Sequence, residues 1–266
     1  MQLLNLHDKI IIRKDELSMC QIIKSRFMNY IDSIPLSQTQ TDILNTIKLS
    51  HTSRVVTLSE TLAASVSADI DCAKIIALLH DIGRWEQMRL HSELSDLASD
   101  HGEIGAEVVI QTDMLNGIAE SKKSIILTAI REHNKKYTHI HDKQTQIFVD
   151  IIRDADKIDN FFVEVKNYGN DAKSMKKILP YSDEHRLSPR IYDCIMNHRL
   201  ADSADRETLV DFKFFKLAWC FDLKIKKSFE IIRENGYIRD IFQDIVVPDA
   251  QMVQAYEQVC CYLNTV

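Results

Sequence analysis

Residues 75–84 read Ile75-Ile76-Ala77-Leu78-Leu79-His80-Asp81-Ile82-Gly83-Arg84. The apolar run predicts a buried helix that opens at Asp71 as N-cap and ends at His80-Asp81. Gly83 is placed to close it in the left-handed cap conformation. A histidine and a carboxylate at the mouth of such a helix need partners, because burying either unsatisfied costs several kcal/mol. A metal ion meets that need directly, since imidazole nitrogen and carboxylate oxygen are both first-rank ligands. The dipeptide alone is not specific. It also occurs at His7-Asp8 and His141-Asp142, which are expected to be surface pairs.

Outward from this stretch, apolar residues recur at helical spacing, alternating strand patterns are nearly absent, and only six glycines and four prolines punctuate the chain. The expected fold is all-α. A helix over 41–66 carries Ile43, Leu44, Ile47, Val55, Leu58, Leu62 and Val66, and His51 fills the gap in that stripe. A helix over 121–133, capped by Ser121, leads Ile126, Ala129 and Ile130 along its buried side to His133. In Ile147–Asp159, the spacing of Phe148, Ile152 and Asp156 puts an aspartate where an aliphatic residue belongs. His101 begins a further helix whose apolar face is Ile104, Val108 and Val109.

Each residue alone has a simpler explanation. A lone inward histidine is more often a hydrogen-bonded core residue, and Asp156 could pair with Arg153 or Lys157. Arg84 could be a solvated residue past a helix end, and His91 competes with His101. His139 and His141 lie in a polar loop, and His185 and His198 lack any apolar stripe. What favours a site is that four separate helices each place a ligand-type residue in a core position.

A length of 266 residues suffices for a substantial core. No apolar run approaches a membrane span, and Met1–Leu17 has no secretory-signal pattern. Six scattered cysteines without a C-x-x-C motif suggest reduced thiols and a cytoplasmic protein. The net charge of −6 argues against a nucleic-acid partner but leaves room for a small phosphorylated substrate. Polar and turn residues over 167–183 mark the softest boundary. The expected organisation is an N-terminal helical segment over 1–40, a metal-binding core over 41–166 and a C-terminal helical extension over 167–266 packed on that core.

The ordered set His51, His80-Asp81, His101, His133, Asp156 resembles the HD-domain metal-dependent phosphohydrolase superfamily. Its successive motifs are similar to HTSRV at 51–55, HDIGR at 80–84, HGEIGAE at 101–107, REHN at 131–134 and RDADKID at 153–159. HDIGRWEQ at 80–87 and LAWCFDLKIKKSF at 217–229 also resemble an uncharacterised bacterial subgroup of these proteins. The resemblance implies an HD helical bundle with additional C-terminal helices and a first metal held by His51, His80, Asp81 and Asp156. It implies a second metal on His101 and His133, with Asp81 bridging. The ions would be divalent, and the sulfur-free ligand set fits iron, manganese, magnesium, nickel or zinc. The implied activity is hydrolysis of a phosphoester or phosphoanhydride of a small, nucleotide-like molecule by metal-activated water. Arg84 would clamp a phosphoryl oxygen, and Lys135 and Lys136 would add positive charge at the rim. Residues 134–137, Asn-Lys-Lys-Tyr, depart from the GYP-type extension of cyclic di-GMP enzymes. Two alternatives stay open. One is a mixed-valent di-iron oxygenase acting on a phosphonate or polyol with the same six ligands. The other is a non-catalytic regulatory protein on the HD fold.

Overall fold

Ser18 opens the first helix with a reciprocal cap: its hydroxyl accepts from the Gln21 backbone, and the Gln21 side chain accepts from the Ser18 backbone. The computed structural model describes residues 18–94, 96, 99–168, 182 and 184–265. Among these residues every regular element is helical, and the single β-contact is an isolated bridge between Ser182 and Thr208. The helices are α1 Met19–Ser33, α2 Gln38–Leu44, α3 Ser50–Ser65, α4 Ile70–Leu79, α5 Gly83–His91, α6 His101–Gln111, α7 Glu120–Glu132 and α8 Lys143–Val163. After these come α9 Pro189–Met196, α10 Leu209–Leu217, α11 Lys226–Asn235, α12 Tyr237–Gln243 and α13 Ala250–Thr265. No helix among the described residues is long and apolar enough to cross a membrane. His7-Asp8 and most of 167–183 lie outside the described residues.

The core forms where α4 enters the bundle. Ile75, Ile76, Ala77 and Leu79 are almost fully buried, each larger side chain contributing about 1.5–3 kcal/mol relative to exposure. Helix α4 packs on α1, α3, α7 and α8, and α8 also contacts α3, α7, α11 and α12. Phe148, Ile152 and Phe161 bury the inner face of α8. Its Asp154 reaches the C-terminal helices, accepting hydrogen bonds from Ile225 N at 2.9 Å and Ser228 Oγ at 2.7 Å. Burial pushes the Asp154 carboxyl up to about 6 despite these bonds.

Several local expectations are corrected. Helix α4 is capped by Asp69, with Asp71 inside its first turn. Helix α7 opens after Ala119 with no side-chain cap, so Ser121 is not the cap. The continuous helix expected over 41–66 is α2 and α3 joined by a π-helical turn, Asn45–Leu49. The wider turn resets the register, so Ile43 and Ile47 face solvent while His51 and Val55 stay buried. Gly83 does not close α4 in the left-handed region; it begins α5. A Cβ there would stand 2.1 Å from the His101 carbonyl oxygen and 2.8 Å from Gly105 N. Glycine is needed for the close approach of α5 to α6, rather than for a positive φ.

Candidate metal centre

Four histidines enter one space from α3, the end of α4, the start of α6 and the end of α7, and each is fixed through Nδ1. His80 Nδ1 donates to the Ala77 carbonyl and His133 Nδ1 to the Ile130 carbonyl, both at 2.7 Å. Each of these histidines continues its helix by one residue and bonds back to a carbonyl three residues earlier. His51 Nδ1 donates to Asp159 Oδ2 and His101 Nδ1 to Asp96 Oδ1, both at 2.6 Å. With the proton held on Nδ1, all four Nε2 atoms present a lone pair inward.

These atoms meet in two pairs. The Nε2 atoms of His51 and His80 are 3.2 Å apart, and those of His101 and His133 are 2.9 Å apart. Asp81 lies between the pairs and divides its oxygens. Oδ2 is 3.5 Å from both His51 Nε2 and His80 Nε2. Oδ1 is 3.1 Å from His101 Nε2 and 4.0 Å from His133 Nε2. Asp156 Oδ1 joins the first pair, 3.2 Å from His51 Nε2. The six residues singled out in the sequence therefore share one site. His51-His80-Asp81 and Asp81-His101-His133 each have the spacing of a metal-binding group.

The donor chemistry fits a metal. Two lone pairs facing each other at about 3 Å repel unless a proton or a cation lies between them, and each pair here has that problem. With protein groups alone, one imidazole of each pair takes up the proton. Burial opposes charging of His51, but Asp156 and Asp159 push it up to about 9. Burial likewise opposes charging of His101, and Asp81 and Asp96 raise it. Burial lowers His80, and burial with the neighbouring histidines takes His133 down to about 3. Asp81 and Asp156 both stay ionised well below the usual carboxylate range: burial opposes this, but Lys48 and His80 outweigh it at Asp81, and His51 does so at Asp156. The result is two adjoining N/O donor sets that share one carboxylate and are compatible with divalent metal binding.

The centre opens into a cleft of about 410 Å³ lined by six cationic side chains, Lys48, Arg84, Lys135, Lys136, Arg153 and Lys157. Arg84 Nε lies 3.6 Å from Asp81 Oδ1 and has no hydrogen-bond partner, while its Nη1 donates to Gln87 and Asp96. Lys135 pairs with Asp100, and Lys136 lies 3.4 Å from Asp202. Arg153 and Lys157 do not pair with Asp156; both turn to Asp222, at 2.6 and 2.8 Å. His91, His139, His141, His185 and His198 are all exposed, and Asp142 serves as the N-cap of α8.

Sequence reasoning missed Lys48, Asp96, Asp159 and Arg54. Lys48 Nζ lies 2.7 Å from Asp81 Oδ2, placed there by the π-helical turn. Arg54 grips Asp159 with Nε and Nη2 at 2.5 and 3.0 Å. Spacing offered a signal for these two, since each lies three residues beyond a site residue, His51 or Asp156, on the same helix. Asp96 carried no such signal, being in the segment between α5 and α6. The C-terminal part also enters the cleft, through Leu200–Ser203, Phe215, Trp219 and Asp222.

Compared with family models, residues 49–160 match the one described as the HD domain. No curated protein and no solved structure matches the chain.

Proposed function

Residues 49–160 are an HD domain, and from that premise we propose that the chain is a metal-dependent phosphohydrolase cleaving a phosphoester or phosphoanhydride of a small molecule. The supporting observation is the convergence of two histidine pairs on the two oxygens of one carboxylate, at the base of a cleft lined by cationic side chains. In this reading His51, His80, Asp81 and Asp156 hold one ion, and His101 and His133 hold a second with Asp81 shared. Two such ions acidify a water and neutralise charge on the phosphoryl group.

The chain's own residues account for the remaining requirements. The Nδ1 bonds keep every imidazole in the tautomer that leaves Nε2 available. Arg84 lines the cleft beside Asp81, its Nε 3.6 Å from Asp81 Oδ1 and its Nη1 held by Gln87 and Asp96, so its guanidinium is a fixed cation near a bound phosphoryl group. Lys48 holds Asp81 Oδ2 and lines the same wall, so its ammonium both fixes the shared carboxylate and adds positive charge near the substrate. Lys157, held by Asp222, adds a further cationic side chain to the same cleft. The cleft's size favours a small phosphorylated partner over nucleic acid, and the scattered, free cysteines support a cytoplasmic setting.

The test is release of inorganic phosphate from a panel of phosphomonoesters, nucleotides and dinucleoside polyphosphates by protein carrying manganese, magnesium or iron. Metal-dependent release from part of the panel, lost in Asp81→Ala, is expected. Release that survives Asp81→Ala overturns the reading. Oxygen consumption with a phosphonate or polyol, without phosphoester turnover, overturns it in favour of an oxygenase.

A further inference from the structure

Helix α7 delivers His133 to the centre at the point where the helix ends. The last carbonyls of a helix have no partner within it and carry the negative end of its dipole. Here one side chain collects them. Arg153, from α8, is buried, with 6% of its side chain exposed. Its Nη1 donates to the carbonyls of Glu132 and His133 at 3.2 and 3.3 Å, and to that of Lys135. Its Nη2 donates to the Lys136 carbonyl at 3.5 Å and to Asp222 Oδ2 at 2.6 Å. The turn over 132–136 is wound around this guanidinium, and His133 lies inside the turn.

His80 also follows a helix, yet it needs no such clamp. The chain passes directly from His80 into α5, and bonds from Ile82 N to the Leu79 carbonyl and from Arg84 N to the Asp81 carbonyl span the junction. After His133 the next helix, α8, starts only at Lys143. The backbone supplies a bond from Lys135 N to the Glu132 carbonyl at 3.3 Å, and Arg153 adds its bonds to this turn. His133 is therefore fixed at two points: Ile130 holds its ring through Nδ1, and Arg153 holds its carbonyl.

What orients Arg153 comes from beyond the HD domain. Asp222 ends the 3₁₀ turn Ala218–Asp222, and its carboxylate also accepts from Lys157 at 2.8 Å. Burial raises its carboxyl, but Lys157 and Arg153 outweigh this and hold it below the usual carboxylate range. The neighbouring Asp154 anchors the same stretch of chain, accepting from Lys224 N, Ile225 N and Ser228 Oγ. Helix α8 thus grips the segment 222–228 through adjacent residues, just ahead of its ligand-type Asp156. Arg153 lines the cleft, but its Nη groups are engaged by the turn and by Asp222, so it acts on the centre rather than on a phosphoryl group.

We propose that Arg153 is a positioning residue for the second ion, acting through the backbone of His133, and that Asp222 holds it in place. The segment beyond the HD domain then completes the His101–His133 half of the centre. The proposal rests on the two-ion phosphohydrolase reading and deepens it. A planar guanidinium suits this task because it holds several acceptors in fixed directions at once, which the point charge of a lysine does not.

The test is titration of the metal-stripped, full-length protein with cobalt(II), whose visible absorption registers each site as it fills. Arg153→Met should weaken the second ion about tenfold and leave the first unchanged. Asp222→Asn should weaken the same ion by less. The double variant should be no weaker than Arg153→Met alone, since Asp222 acts through Arg153. A general loss of structure would instead weaken both ions together. With two ions bound by the unaltered protein, an unchanged second ion in Arg153→Met, an equal loss of both ions, or additive losses in the double variant overturns the proposal. If circular dichroism shows that Arg153→Met does not fold, Asp222→Asn decides, because it only exchanges a carboxylate for an amide of the same shape. An unchanged second ion in that variant overturns the proposal. A selective loss of the second ion in a protein that releases phosphate from no ester keeps Arg153 in its role and overturns the phosphohydrolase reading instead. A single ion in the unaltered protein overturns both.

Discussion

The His51–His80 half of the centre and the His101–His133 half use the same parts, an imidazole pair, a share of Asp81 and a bracing carboxylate, but they are braced differently. Asp159, behind His51, has a side chain only 1% exposed, rises from α8 and is gripped by Arg54 through two bonds. Arg54 in turn lies 4.9 Å from the centroid of the Phe162 ring. Asp96, behind His101, is 42% exposed and lies between helices, held by Arg84 and Gln87. The first half also has Asp156, for which the second half has no counterpart among the described residues. A carboxylate fixed by burial and a two-toothed arginine keeps its imidazole oriented before any ion arrives, whereas one open to water shares its hydrogen bonds with solvent. The first half should therefore bind its ion more tightly and the second should empty first.

The largest break in this comparison removes what the halves share. Asp81→Ala takes a ligand from both and leaves Lys48 without its carboxylate, so both ions and all turnover should be lost, read by elemental analysis beside phosphate release. His133→Ala and His51→Ala should divide the centre. The first should retain one ion, and the second should lose the tighter one, a difference visible as opposite residual affinities in a metal titration. If both variants lose both ions to the same degree, the two halves are not separable.

The bracing carboxylates sharpen the contrast. Asp159→Ala removes a carboxylate that is only 1% exposed, with its two bonds to Arg54 and its bond to His51, at an expected cost of about 2–3 kcal/mol, held down because Arg54 is 35% exposed. Asp96→Ala should cost less, because its carboxylate is 42% exposed and already shares its hydrogen bonds with water. Denaturant unfolding of the two metal-free variants measures this, and equal losses would remove the distinction. For metal affinity, Asp159→Asn should lie near the upper end of a 10–100-fold loss and Asp96→Asn near the lower end. The smallest expected effect on metal binding comes from Gly83→Ala. The new Cβ forces α5 away from the His101 carbonyl at about 1–3 kcal/mol and should weaken the second ion while leaving the first in place.

The same contrast explains what could be read from the sequence. His51 and Asp156 fall on helices, and His80-Asp81 and His133 directly follow helices, whose apolar neighbours fix which side faces inward, so periodicity points to them, and His101 opens α6 in a recognisable motif. Lys48 was hidden by the π-helical turn, which breaks the period that would have pointed to it and leaves Ile47 exposed. Asp96 was hidden because a residue between helices has no period. Gly83 was misread because a glycine after a helix suggests a cap, whereas here the constraint is the distance to a chain eighteen residues later.

The central claim is a two-ion centre with unequal halves, and the most direct test is the metal content of the purified protein titrated against a chelator. The account predicts two ions per chain lost in two separate steps, with the more weakly held step absent in His133→Ala. A single ion per chain, or two lost in one step that His133→Ala leaves unchanged, would contradict it.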